Sequence, residues 1–349
     1  MSQRGLFLDV APGEKRGVVT LSGRPERLLL ERADADADAG EGIGARLVGR
    51  VRAVDAAAGL AFVDLGNGRE GVLNFTKETG RPVQGAALEL EVRAEARRGK
   101  TATLRALGTA EGPPRVLAAA PALEARLRAF APEAEIRLGA AARAMADLAQ
   151  DEAVASDFPL PGGGRIWIEP TRALTAIDVD LGGRAEATPK KAARAANLEA
   201  LAEAARALRL KGLGGLVVID LVGRAHDPAA LLAAARVAFS PDNPGVALGA
   251  VSRFGTLELT IPRRARPVVE DLADQSGAAT PLTLGLALLR ALEREALADP
   301  GGRFVGVAPA PLVEAARAAL VTLNGRLGAR LDLRAEAPRG GTPFEVVRA

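Results

Sequence analysis

The 349 residues contain no cysteine and no tyrosine, and only one histidine and one tryptophan. Without cysteine there are no disulfides, no thiolate zinc sites and no cysteine nucleophile. A single histidine, His226, argues against a Ser-His triad and against a multi-histidine metal centre. No apolar run approaches the roughly 20 residues of a membrane helix, and the opening MSQRGLFLDV has too short an apolar stretch for a secretory signal. The expected protein is soluble and cytoplasmic. Any chemistry must run on carboxylates, hydroxyls, lysine and arginine. At 48% apolar the chain is not disordered by composition, and its length suits two to three compact units.

Lysine is scarce as well, with six against forty arginines, although the net charge is only +3. Arginine is the better bidentate phosphate ligand, which suits a nucleic-acid partner. Alanine and glycine are inflated together with it, so genomic base composition explains the excess equally well, and the count alone decides nothing.

The first thirty residues read as an antiparallel meander around Leu6–Leu8, Gly17–Leu21 and Leu28–Glu31, and the acidic run 33–40 reads as a solvated boundary. From Gly44 to Leu107 the segments ARLVGRVRAV, LAFVDLG, EGVLNF, ALELEVRAE and ATLRAL, separated by glycine turns, predict a five-stranded closed barrel of OB type. Pro-rich EGPPRVLAAAP follows. Residues 122–150 then show a helical period through Leu123, Leu127, Phe130, Ala144, Met145 and Leu148. Trp167 lies mid-strand and is expected in the core. The longest predicted helix spans 190–211 and stops at Gly212 and Gly214. With strand 216–220 and the helix and strand pair after it, the alternation predicts an α/β layer. Residues 262–281 look like a linker, and 282–349 like a small α/β unit.

Two strand ends carry acids, Asp178 and Asp180 in AIDVD and Asp220 in VVID. Alternation puts Asp178 and Asp180 on one face. If the two strands are parallel neighbours joined by helix 190–211, all three acids lie at one sheet edge, where α/β sheets bind ligands. Carboxylates so close repel unless a divalent cation sits among them, and oxygen-only ligands favour magnesium or manganese over zinc. The plainer reading is that Asp180 caps the turn into Gly182-Gly183 and Asp220 caps its strand exit.

The barrel stretch GRVRAV…AFVDLGNGREGVL resembles the S1 family of RNA-binding OB-folds. Phe62, Phe75 and Lys100 are its candidate RNA contacts, although Phe62 sits between small apolar neighbours and suits a buried site as well. The stretch ALTAIDVD…NLEALAEAARALRLKGLGGLVVIDLV…AVSRFGTLEL resembles the catalytic core of the ribonuclease E/G family. That resemblance implies an α/β multidomain chain with a split RNase H-like subdomain (1–40 and 111–160), an inserted S1-type OB-fold β-barrel (41–110) and a DNase I-like α/β catalytic subdomain (161–262). A linker at the zinc-link position (263–281) and a small α/β C-terminal domain (282–349) complete it. The implied activity is magnesium-dependent hydrolysis of single-stranded RNA to 5′-phosphate and 3′-hydroxyl ends. By position, Asp178 and Asp220 would hold the metal, Asp180 occupies the place of the family's asparagine, and Arg184, Lys211 and Arg253 are phosphate contacts. Arg253 pairs equally well with Asp220 as a structural group.

Departures from the family pattern carry their own expectations. Only about ten residues span the place of the family's 5′-monophosphate sensor. The cysteines of its zinc link are absent, so a homodimer would not be bridged by zinc. Gly223 stands where a second acid is usual, and Val72 where phenylalanine is common. No scaffold tail for a degradosome is expected. The competing readings are a catalytically weak or inactive RNA-binding homologue and an assembly protein that docks through the barrel and the small domain.

Overall fold

The computed structural model describes residues 4–32, 42–77, 80–184, 188–223 and 227–349. The acidic run 33–40 and His226 lie outside the described residues. The chain is a mixed α/β protein built on four sheets.

Strands β1 (Arg4–Ala11), β2 (Glu14–Leu21) and β3 (Arg24–Arg32) form the meander, with antiparallel register Leu6 to Val19 and Val18 to Leu28. Their hairpin interior is ionic. Arg16 is 1% exposed and donates to Asp9 at 2.6 Å, while the fully buried Glu14 accepts from Arg32 at 2.8 Å. Every buried charge here has an opposite partner, without which burial would cost several kcal/mol.

Strands β4 (Arg46–Asp55), β5 (Leu60–Gly66), β6 (Arg69–Asn74), β7 (Ala87–Ala94) and β8 (Ala102–Thr109) close a five-stranded barrel in the order β4-β5-β6-β8-β7-β4. That circuit matches an OB-fold. Inward positions alternate along each strand, so Leu47, Val51, Ala61, Val63, Leu73, Leu90, Val92 and Leu104 fill the interior. Strand β9 (Arg115–Ala118), which the sequence places after the barrel, adds to β4.

The stretch read as one helical period divides in two. Helix α1 (Leu123–Arg128) and helix α2 (Ala140–Val154) flank the short strand β10 (Ile136–Arg137), which pairs with β1. The buried stripe of α2 is Ala142, Ala146, Ala149 and Ala153, while the expected stripe member Leu148 is 45% exposed. Alanine lets the helix lie close on the meander, so the small residues and not the leucine mark its inner face.

Strands β11 (Asp157–Pro159), β12 (Arg165–Pro170) and β13 (Thr175–Asp180) lead into helix α3 (Pro189–Lys211) and strand β14 (Gly215–Asp220). Thr188 caps α3 by accepting from the Lys191 amide, Pro189 opens the helix, and Gly212 ends it at φ +68°. Helix α4 (Pro228–Phe239) and strands β15 (Ala247–Val251) and β16 (Thr256–Ile261) complete a six-stranded sheet, β11-β12-β13-β14-β16-β15. One face packs on α3 and α4 through Ile166, Ile168, Ile177, Val179, Val217, Ile219, Leu257 and Leu259. The opposite side of α3 buries Glu203, Arg206 and Arg209 against the meander, where Glu203 pairs with Arg24 and Arg206, and Arg209 with Glu26 and Asp242. The helix is therefore buried on both sides over its last three turns.

The segment read as linker contains helix α5 (Val268–Leu272) and carries the barrel: Glu95 binds the Arg264 carbonyl and the Arg266 amide, and the Arg98 guanidinium the Ala273 carbonyl. Helix α6 (Pro281–Ala298), strand β17 (Phe304–Ala308), helix α7 (Ala310–Leu327) and strands β18 (Leu331–Ala335) and β19 (Glu345–Arg348) form the last unit, with sheet order β18-β17-β19. No helix among the described residues is long and apolar enough to cross a membrane.

Candidate active site

The second face of the six-stranded sheet carries the acids. Strands β13 and β14 are parallel, joined by α3, and their register places Asp178 directly beside Asp220. Adjacent strands lie about 4.8 Å apart. Both side chains are exposed, and neither has a hydrogen bond or ion pair with a described residue. Two unpartnered carboxylates at that spacing repel, and a cation between them removes the repulsion.

Asp180 is on the same face, two residues on, but one of its oxygens is committed: Oδ1 accepts from the Gly182 amide at 3.0 Å, closing the turn after β13. Among the described residues no three acidic or histidine groups converge as a metal cluster, so the face offers a pair with Asp180 beside it. A hard divalent cation held by two carboxylates, water and substrate phosphate is the usual magnesium arrangement, and the donor set here fits it.

Neighbouring loops hold the acidic strand ends in place. Gly164 must be glycine, because at φ +80° a Cβ there would sit 2.2 Å from the Asp180 carbonyl. Asn197, 2% exposed on α3, bonds both the carbonyl and the amide of Val222 at 3.0 Å and so pins the chain just past Asp220. Sequence reasoning missed Asn197, and its only sequence signal was a polar residue within the alanine-rich stripe of α3. On the other side, the Ser252–Gly255 turn docks through the Leu221 amide on the Gly255 carbonyl at 3.0 Å.

That turn presents Arg253, exposed and 4.7 Å over the ring of Phe254, which is itself 78% exposed. Arg253 makes no ion pair with Asp220 among the described residues, so it faces solvent as a candidate phosphate contact and not as a structural partner. Phe254 is a candidate that the sequence reading did not single out.

Two expected phosphate contacts are corrected. Lys211 is 9% exposed, and its ammonium donates to the Ala153 and Ala155 carbonyls beneath the Phe158 ring. Burial pushes it down to about 8. Arg184 has a side chain only 2% exposed, and it clamps the Gly163 carbonyl and Glu199, stapling the β11–β12 turn to α3. The Arg184 hydrogen bond holds the Glu199 carboxyl below its ordinary range. Both cations serve packing because the helix that bears or meets them is sandwiched between layers.

On the barrel, Phe62 is 36% exposed on the outer surface, beside Val72 on β6. Lys100 is exposed in the hairpin between β7 and β8. Phe75, in contrast, packs against the barrel interior, which removes it as a displayed stacking group. The barrel and the acids are separated within the chain: Arg264 and Arg266 follow β16, whose last residue Ile261 pairs with Gly215 at the end of β14 remote from Asp220.

Trp167 also contradicts expectation. It is 37% exposed and is the direct antiparallel partner of Asp178. Paired residues of adjacent strands share a face, so the tryptophan lies with the acids and not in the core.

The Ribonuclease E/G family model matches residues 121–264. Ribonuclease E of Escherichia coli (strain K12) is 35% identical over 176 residues, covering 46% of this chain and 16% of that protein. Ribonuclease E of Nostoc sp. is 34% identical over 126 residues (35% and 18%), and the chloroplastic ribonuclease E/G-like protein of Arabidopsis thaliana 36% over 117 residues (32% and 12%). The aligned region thus spans less than a fifth of each of these relatives. The matched segment is the one that contains Asp178, Asp180, Asp220 and the Ser252–Gly255 turn, so it is through this carboxylate-bearing sheet that the chain is similar to the Ribonuclease E/G family.

Proposed function

We propose that the protein is an endoribonuclease that hydrolyses phosphodiester bonds of single-stranded RNA, leaving 5′-phosphate and 3′-hydroxyl ends. The observation that carries this reading is the side-by-side placement of Asp178 and Asp220, both exposed, on one face of the sheet. It is supported by the relatives' names and by a barrel of OB type whose outer surface shows Phe62 and whose β7–β8 hairpin shows Lys100.

Asp178 and Asp220 would hold a magnesium ion, with manganese as an alternative. When bound, the metal supplies an activated water and charge stabilisation at phosphorus. The chain's own residues do the rest. The two acids would hold the cation at the place of the scissile phosphate, while Arg253 offers a fork to a neighbouring phosphate. Asp180 keeps the strand end in shape and adds negative charge near the site. In the hydrolysis the water oxygen bonds to phosphorus as the bond to the 3′ oxygen breaks, and that oxygen leaves as the hydroxyl. With the sensor stretch shortened, entry is direct and independent of the 5′ end. Any self-association proceeds without a thiolate zinc bridge, because no cysteine exists.

The deciding assay incubates the protein with end-labelled, AU-rich single-stranded RNA and magnesium, beside Asp178→Asn and Asp220→Asn. Cleavage by the wild type alone, with 5′-phosphate products and equal rates on 5′-hydroxyl and 5′-monophosphate substrates, is expected. RNA left intact by all three proteins despite equal binding overturns the proposal.

A further inference from the structure

The carboxylate face has a transverse row of five residues in continuous register, Asp157, Trp167, Asp178, Asp220 and Thr256, on β11, β12, β13, β14 and β16. At about 4.8 Å per strand, Trp167 stands one spacing from Asp178 and about 10 Å from Asp220. A tryptophan is the largest apolar side chain, and placing one between two aspartates on an open face gains little from packing. Its other neighbour is Arg165, whose guanidinium lies 5.8 Å from the ring centroid and pairs with Asp157 at 2.8 Å. Arg165 is in turn the direct cross-strand partner of Asp180.

Apart from Arg165, the charged residues on this face of the strands are acidic. Next to the carboxylate row runs a second one, Glu169, Ala176, Val218 and Glu258, with both glutamates exposed. A phosphate backbone is repelled from such a surface except where a cation intervenes at Asp178 and Asp220. A strand lying here therefore needs an uncharged hold next to the cleavage point, and the π-face of a base supplies it. The same acidity opposes a two-fold pairing of this face with a second copy, because an isologous contact would set acid against acid.

We infer that Trp167 is a base-stacking residue of the carboxylate face, holding a nucleobase of the RNA whose phosphodiester lies at Asp178 and Asp220. This rests on the endoribonuclease reading for its substrate. Trp167 makes no covalent contribution: it fixes the strand next to the scissile bond, so its weight falls on KM. Because a π-face is common to all bases, the contact tolerates sequence and requires only that a base be present and unpaired.

The composition of the chain makes the test direct. With one tryptophan and no tyrosine, intrinsic emission excited at the indole band reports Trp167 alone. The full-length wild-type protein is titrated in magnesium with an unstructured RNA oligonucleotide of cleavage-resistant phosphorothioate linkages, and with one of equal length and backbone in which every position is abasic. Emission quenched by the first and not by the second is expected. Equal quenching by both, or none while the RNA is bound, overturns the proposal. So does emission that shifts with protein concentration in the absence of RNA, which would assign the face to a second copy. In steady-state cleavage by the otherwise wild-type protein, Trp167→Ala should raise KM roughly 5- to 100-fold with kcat little changed, and Trp167→Phe should restore most of it. The two readings fail separately: base-dependent quenching in a protein that cuts nothing removes the enzyme and keeps the stacking site. Cleavage without quenching does the reverse.

Discussion

Asp178 and Asp220 sit side by side across the parallel strands β13 and β14, without a cation or hydrogen-bond donor between them among the described residues. On the proposed reading the two acids share a divalent cation, which would offset the repulsion between them. Thermal melting should show this before any activity is measured. Magnesium is expected to raise the wild-type Tm, whereas Asp178→Asn and Asp220→Asn should lose that response and melt at or above the metal-free wild type. The same variants should lose about 100-fold or more in cleavage rate. An unchanged magnesium shift in both variants would place the cation elsewhere.

Glu14 of β2 receives Arg290 of α6 at 2.7 Å across 276 positions of sequence, and Arg32 at 2.8 Å. Glu14 and Arg290 are buried and Arg32 is partly so, and Glu14→Gln leaves two guanidinium groups without their counter-charge. A loss of about 3–5 kcal/mol is expected in urea unfolding. A loss below about 1 kcal/mol would mean that the last unit is anchored mainly by other contacts.

Lys211 gives the protein a basic-range pH dependence. Its native value is about 8, against 10.5 for an ordinary lysine. Between those values the unfolded chain carries a proton that the native chain lacks, so this group makes stability rise with pH across the window, by at most about 1.4 kcal/mol per pH unit. Below pH 8 both states are protonated and the contribution is a constant penalty. Denaturant unfolding at pH 8 and pH 10 should show a steeper rise in the wild type than in Lys211→Met. Parallel slopes would refute the assignment.

On the barrel, Val72 is the direct cross-strand neighbour of exposed Phe62. Phe62→Ala should weaken binding of single-stranded RNA by about 1–3 kcal/mol, and Val72→Phe should strengthen it by up to a similar amount by widening the stacking surface. Fluorescence anisotropy with a labelled oligonucleotide measures both. No change on either substitution would mean that RNA bypasses this face.

Period-two alternation in the barrel strands and the capping pattern of α3 are local signals, so both elements are legible in the sequence. The pairing of Asp178 with Asp220 was legible conditionally, because strand–helix–strand connections so often return a parallel neighbour. Leu148 falls outside the buried stripe because periodicity marks a face but not what covers it, and the resemblance that offers Phe75 as an RNA contact does not say that its ring packs on the barrel core. Trp167 illustrates the same limit, since apolarity suggests a core and only β11 and β13 on either side of it reveal the acidic face.

The sequence by itself determined the chemistry available to this protein: carboxylates, arginine and hydroxyls, with thiolate and multi-histidine centres removed. It also determined where the acids fall along their strands. The tertiary structure decided which charges are free to use that chemistry. Lys211 and Arg184 belong to the same motif-rich segment as Asp178, yet α3 is buried between two layers, and burial turned both inward to satisfy carbonyls and a carboxylate. Asp178, Asp220 and Trp167 stayed exposed because no layer among the described residues packs on their side of the sheet. Solvent access is set by which layers meet, and that is a property of long-range packing that no local pattern encodes.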